Sequence, residues 1–169
     1  MKRSIKFFSF CLLAVLCTTT VAFNSYGQST TSDKGVVING VKWATRNVAA
    51  PGTFAATPES FGTYYQWCDP SPQGWRLPNN EEINKLLDTD KVTSVWISQN
   101  GVNGRRFTDK TSGNSVFFPA MGFRLYSDPN NNLHWVGSRS YYWGSVPFDS
   151  DYVHALYFSD DAAVLTSFG

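Results

Sequence analysis

Apolar positions in this chain fall into short runs separated by turn residues. Val36-Val37-Ile38 and Val41-Lys42-Trp43-Ala44 flank Asn39-Gly40. Asn-Gly between two apolar runs predicts a two-residue hairpin, because a type I′ turn needs positive φ at both central positions. Residues 46–62 carry Pro51, Gly52, Pro58 and Gly62 without periodicity, which predicts a long surface loop. Tyr64-Tyr65-Gln66-Trp67 predicts a short buried strand ahead of Cys68 and the Asp69-Pro70-Ser71-Pro72 turn.

The pattern changes period once. After Gly74-Trp75-Arg76-Leu77-Pro78, Asn79 is placed as an N-cap and Glu82, three residues on, closes a capping box. Glu81 and Glu82 suit the positive end of a helix dipole. Ile83, Leu86 and Leu87 follow at i, i+3 and i+4, so one helical face is apolar and must dock. Short strands resume with Val92–Ile97, Arg106–Thr108, Ser115–Phe118, Phe123–Tyr126, Tyr141–Trp143, Tyr152–Phe158 and Ala162–Thr166. Asn-Gly, Ser-Gly and Asp-Pro turns stand between several of them. Many short strands with one or two early helices predict an α+β domain.

The N-terminus reads differently. Lys2, Arg3 and Lys6 precede an apolar run from Phe7 to about Phe23, the order of a secretory signal peptide. Small residues at Ser25 and Gly27 predict cleavage after Gly27, giving a leader over 1–27, a flexible linker over 28–35 and a domain over 36–169. The run is short for a spanning helix, which needs roughly 20 apolar residues. An alternative lipid anchor at Cys17 would need a small preceding residue, and Leu16 is large. The expected location is therefore outside the cytoplasm, at the cell surface, in the periplasm or beyond, with membrane contact only through export or that alternative anchor.

Loss of the leader changes the charge. The precursor carries +1, but the leader holds three basic and no acidic residues, so 11 basic against 13 acidic residues remain, a net −2. A mildly acidic domain without a basic cluster excludes nucleic acid as an expected partner. Arg105-Arg106 is the only adjacent basic pair after the leader and is expected to be a solvated face. With Cys11 and Cys17 gone, Cys68 is left alone, which is unusual for an exported chain.

Several stretches together resemble one family. Asn39–Val48 is similar to its "IGxQxWMAxNL" opening; Tyr64-x-x-Trp67-Cys68 and Gly74-Trp75-Arg76-Leu77-Pro78 resemble "LYxW…C…GWxLP". Phe118-Pro119-Ala120-Met121-Gly122-Phe123-Arg124 resembles "LPAxGxR", Tyr142-Trp143-Gly144-Ser145 resembles "YWSS", and Ala155–Phe158 resembles the strand after it. This is the Fibrobacter succinogenes major paralogous domain, common in exported proteins of Bacteroides-like bacteria. The resemblance spans about residues 36–169 and implies a C-type-lectin-like fold, a twisted, mostly antiparallel sheet with one or two helices. It also implies a final strand carrying a cysteine partner for Cys68. The chain stops at Gly169 before such a strand, so a truncated last strand and an orphaned Cys68 are expected.

Candidate chemistry is sparse. Asp128-x-Asn130-x-Asn132 has the ligand spacing of a calcium loop, but Leu133 stands where glycine is needed and Arg139 where the bidentate glutamate is needed. His154 alternates with Tyr152, Leu156 and Phe158 and reads as a packed, hydrogen-bonded core histidine. Asp160-Asp161 reads as a turn. No catalytic residue, metal or cofactor is expected, and the chain is not expected to be an enzyme. Trp43, Trp67, Trp75, Trp96 and Trp143 read as core. Tyr126, Asp128, Asn130, Trp135 and Tyr141 form the candidate binding patch, since aromatics beside Asn and Asp suit a glycan or surface-protein ligand. The expected function is a non-catalytic binding or adhesion module at the cell surface. The alternative is a structural component of an envelope or pilus-like assembly.

Overall fold

The computed structural model describes residues 15–16, 32–65, 67, 71–125 and 128–169. The expected cleavage site at Gly27, Cys17, Cys68 and Tyr126 lie outside these residues. In chain order the elements are β1 (Val15–Leu16), β2 (Val36–Ile38), β3 (Val41–Trp43), β4 (Trp75–Arg76), α1 (Asn80–Leu87), β5 (Val92–Gln99) and β6 (Val102–Asp109). They continue with β7 (Ser115–Pro119), β8 (Phe123–Arg124), β9 (Leu133–His134), β10 (Arg139–Pro147), β11 (Val153–Ser159) and β12 (Ala163–Phe168). The strands form sheets ordered β2-β3-β1-β4, β5-β6-β7, β10-β11-β12 and β8-β9. Their pairings are antiparallel, and a parallel bridge joins Gly122 to Ser140. The fold is thus α+β and strand-rich, with one short helix among the described residues.

The turns follow from their residues. Asn39 and Gly40 take φ of 46° and 76°, and Asn100 and Gly101 take 49° and 82°. Both pairs supply the two positive φ values that a two-residue hairpin needs, closing β2 onto β3 and β5 onto β6.

The helix start is built as its sequence implies. Asn79 Oδ1 accepts from the Glu82 N–H at 2.9 Å, and the Asn79 N–H donates to Glu82 Oε2 at 2.8 Å. Arg76 Nη2 reaches Glu82 Oε1 at 2.6 Å, tying β4 to α1. Burial pushes the Glu82 carboxyl up, but the bonds from Arg76 and Asn79 outweigh it and leave the group below its ordinary value. Ile83 and Leu86 are fully buried, and Leu87 packs half-buried beside them.

The core has two parts. Trp43, Ile83, Leu86, Phe107, Phe118, Tyr142 and Phe158 belong to one cluster; Val48, Phe54, Trp75, Phe123, Trp143 and Ala155 belong to the other. Tyr142 and Trp143, adjacent on β10, fall on opposite sides because successive strand residues face opposite ways. Trp43, Trp75 and Trp143 are buried as expected, whereas Trp67 and Trp96 are only half-buried at the margins.

Four details differ from the sequence reading. The 46–62 segment is not merely a surface loop. Val48 and Phe54 are fully buried and bridge one another, and Phe54 meets Trp75 edge-on at 5.6 Å. Its apolar side chains lack periodicity because they fill gaps rather than line a face. Over 64–67 no strand forms among the described residues; Tyr65 is buried and makes a single bridge, with its hydroxyl on the Ala49 carbonyl. Arg105 is not on a solvated face. It is buried, donating from Nε to Ser94 Oγ and from Nη1 to the Ser159 carbonyl, both at 2.7 Å.

Asp33, inside the stretch expected to be linker, is buried as well. Its carboxylate accepts from the Gly35 and Thr45 N–H groups, the Thr45 hydroxyl and Arg46 Nε.

Candidate functional site

The candidate patch grows from the β8–β9 ribbon. β8 pairs Phe123 with His134 and Arg124 with Leu133, so the connection between them returns on itself. Asp128 closes that return. Its Oδ1 accepts the Asn130 N–H at 2.9 Å, and its Oδ2 accepts the Asn132 N–H at 3.2 Å. His134 Nε2 lies 2.9 Å from the same Oδ2. The Asn130 N–H, followed by His134, holds the Asp128 carboxyl below its ordinary value. The loop residue that looked like a first calcium ligand is therefore committed to the loop's own donors. Among the described residues, no three His, Cys, Asp or Glu side chains converge as a metal site would require.

Trp135 follows directly, in a backbone conformation rare for an aromatic residue, with φ of 54°. The surrounding chain holds it there. The Trp135 carbonyl accepts from the Ser138 N–H and hydroxyl and from the Arg139 N–H, at 3.1, 3.0 and 3.2 Å. Gly122 presses against the same segment so closely that a Cβ would sit 2.2 Å from the His134 carbonyl oxygen. The residue keeps 45% of its surface exposed, beside exposed Leu133 and Val136.

Phe123 links Trp135 to Tyr141. Trp135 stacks on the buried Phe123 at 4.9 Å and 22°, while Tyr141 meets Phe123 edge-on at 4.8 Å. Tyr141 in turn packs on Tyr157 at 4.9 Å and Phe168 at 4.3 Å. These contacts make one aromatic shelf, exposed at Trp135 and half-buried at Tyr141, Tyr157 and Phe168. Burial, with the neighbouring Tyr157, pushes the Tyr141 hydroxyl up, so it stays protonated and neutral at physiological pH. Arg139 places its guanidinium 5.1 Å from the Trp135 ring centre.

Asp128, Asn130 and Trp135 thus share one end of the ribbon, with Asn130 exposed at its tip, and Tyr141 joins them through Phe123. Phe123, Tyr157, Phe168 and Arg139 escaped the sequence reading. Tyr157 is the direct cross-strand partner of Tyr141, a relation only the β10–β11 register reveals. Arg139 stands four residues after Trp135, a spacing that carries no signal outside a helix. His154 is half-buried against the Phe148 ring edge, but its Nδ1 has no hydrogen-bond partner among the described residues. It packs as expected without the expected bond. Asp160-Asp161 forms the turn between β11 and β12, held by Ser159 Oγ.

Comparison with protein families, with curated proteins and with solved structures finds no match for this chain. Among the described residues no helix is long and apolar enough to cross a membrane.

Proposed function

We propose that the chain is an exported, non-catalytic binding module of the Fibrobacter succinogenes major paralogous domain type, with a C-type-lectin-like fold, that recognises a glycan through the Trp135 shelf. The observation that carries this reading is Trp135 itself. A left-handed backbone costs an aromatic residue on the order of 1–3 kcal/mol, and strain of that kind persists only where surrounding contacts hold it, and clusters at binding and active sites. Here it holds an indole that stacks on Phe123 and carries Arg139 over its ring, in a residue 45% exposed at the end of a loop rich in amide groups. An aromatic face takes the apolar side of a sugar ring, and the asparagines at 130–132 offer donors and acceptors for its hydroxyls.

The test is a glycan array on the whole protein, followed by titration of the best ligand into the Trp135→Ala variant. A loss of at least ten-fold in affinity with an unchanged melting temperature is expected. Unchanged affinity, or binding only to proteins drawn from an envelope extract, would sink the glycan reading.

A second reading, a structural part of an envelope or pilus-like assembly, is favoured by the sheet edges. Outer strands β2, β5 and β12 carry exposed Val37, Val95 and Val164. Exposed edges with β-branched residues are open to pairing with another chain.

A further inference from the structure

Most arginines here commit their guanidinium groups to acceptors within the fold. Arg46 bonds Asp33, Arg76 bonds Glu82, Arg105 bonds Ser94 and the Ser159 carbonyl, and Arg106 bonds Gln99. Arg139 does not. Among the described residues no hydrogen bond or ion pair reaches its side chain, and its Nε is shut from solvent without an acceptor. The residue as a whole is half-buried, and its terminal nitrogens are not closed off in the same way. What the guanidinium meets is the Trp135 ring, at 5.1 Å. Asp128, the acidic residue of the patch, does not pair with it. The Asp128 oxygens take the Asn130 and Asn132 N–H groups and His134. Arg124 also lacks a polar partner, but it lies over the Tyr64 ring and follows Phe123 on β8, where successive residues face opposite ways.

The strand register builds the surroundings of Arg139. It stands two residues from Tyr141 on β10 and so shares a face with it, opposite Ser159 and Tyr157 of β11. The Tyr141 and Tyr157 rings pack at 4.9 Å. Burial and the neighbouring Tyr157 push the Tyr141 hydroxyl up, and Arg139 draws it back down, as a cation close to that phenol does. A guanidinium, two half-buried phenols and an indole therefore adjoin on the shelf. A neutral sugar would leave the guanidinium still without an anion. A carboxylate meets it with two oxygens in the plane of the donor fork, and phenol hydroxyls can donate to the same oxygens.

We propose that the Trp135 shelf selects acidic sugars and that Arg139 binds the sugar's carboxylate. The assignment rests on the glycan reading of that shelf and gives it a ligand class, a uronic or sialic acid rather than a neutral hexose. Trp135 steadies the guanidinium, and Tyr141 and Tyr157 flank the carboxylate it holds.

The experiment uses the whole protein and an array in which each uronic- or sialic-acid oligosaccharide is paired with its carboxyl-reduced counterpart, alike in linkage and length. Neutral and sulfated glycans complete the array. The best acidic and reduced pair is then titrated into the parent, Arg139→Gln and Arg139→Lys. The parent should bind the acidic member tighter by about ten-fold or more. That preference should vanish in Arg139→Gln at an unchanged melting temperature, and survive only in part in Arg139→Lys, which keeps the charge but loses the planar fork. Equal binding of the two members by the parent, best binding to a neutral or sulfated glycan, or an acid preference kept by Arg139→Gln would overturn the assignment. In each of those cases a loss of binding in Trp135→Ala leaves the glycan reading standing. An array with no bound member sinks that reading and the assignment with it. If Arg139→Gln does not fold, the parent's preference and its weakening in Arg139→Lys decide the matter.

Discussion

Leu86→Ala tests whether α1 anchors the domain. Leu86 is fully buried in the cluster that holds Trp43, Phe118, Tyr142 and Phe158, and it sits one turn from the equally buried Ile83. The change removes three carbons. At about 0.8 kcal/mol per buried methylene the transfer loss is roughly 2.4 kcal/mol. The cavity adds to this, because aromatic neighbours pinned on several strands relax only in part, and the total should reach about 3–4 kcal/mol. With a urea slope of about 2 kcal/mol/M for a domain of this size, the unfolding midpoint should fall by roughly 1.5–2 M. Asn79→Ala, which removes the cap but no core contact, should cost only about 1 kcal/mol. Urea unfolding of both variants, followed by tryptophan fluorescence and far-UV circular dichroism, gives the comparison. A Leu86→Ala midpoint equal to the parent's, or a smaller loss than for Asn79→Ala, would show the helix to be peripheral.

Further outcomes follow from single polar and backbone positions. N–H groups of Ser112, Asn39 and Thr111 hold the Asp109 carboxyl down, from 3.8 to about 2. Because the folded value is depressed, its contribution is full above about pH 4 and is lost as pH falls towards 2; the acid limb of a stability–pH curve should flatten there in Asp109→Asn. Asp33→Ala leaves the Gly35, Thr45 and Arg46 donors without their shared acceptor, and should cost about 1–3 kcal/mol in urea unfolding. Gly122→Ala forces a Cβ against the His134 carbonyl at a positive φ of 71°. It should displace the Trp135 segment, seen as a shift in tryptophan emission and a loss of stability beyond about 1 kcal/mol in urea unfolding.

What the sequence determined by itself was local. Asn39-Gly40 and Asn100-Gly101 set their turns through φ, and Asn79 with Glu82 set the helix start through bonds three residues apart. The alternation and spacing of apolar runs were enough for a strand-rich α+β domain, since each strand's character depends on its own few residues. The tertiary structure decided what depends on register and approach between distant segments. It drew Phe54 against Trp75, buried Arg105 against Ser159, and brought both Trp135 and Tyr141 against Phe123. It also seated Val15–Leu16 between β3 and β4, where pattern alone marked only an apolar leader. Hydrophobicity says that a side chain will be covered. Only the pairing of strands far apart in the chain decides what covers it, because those contacts arise from the joint packing of all the strands.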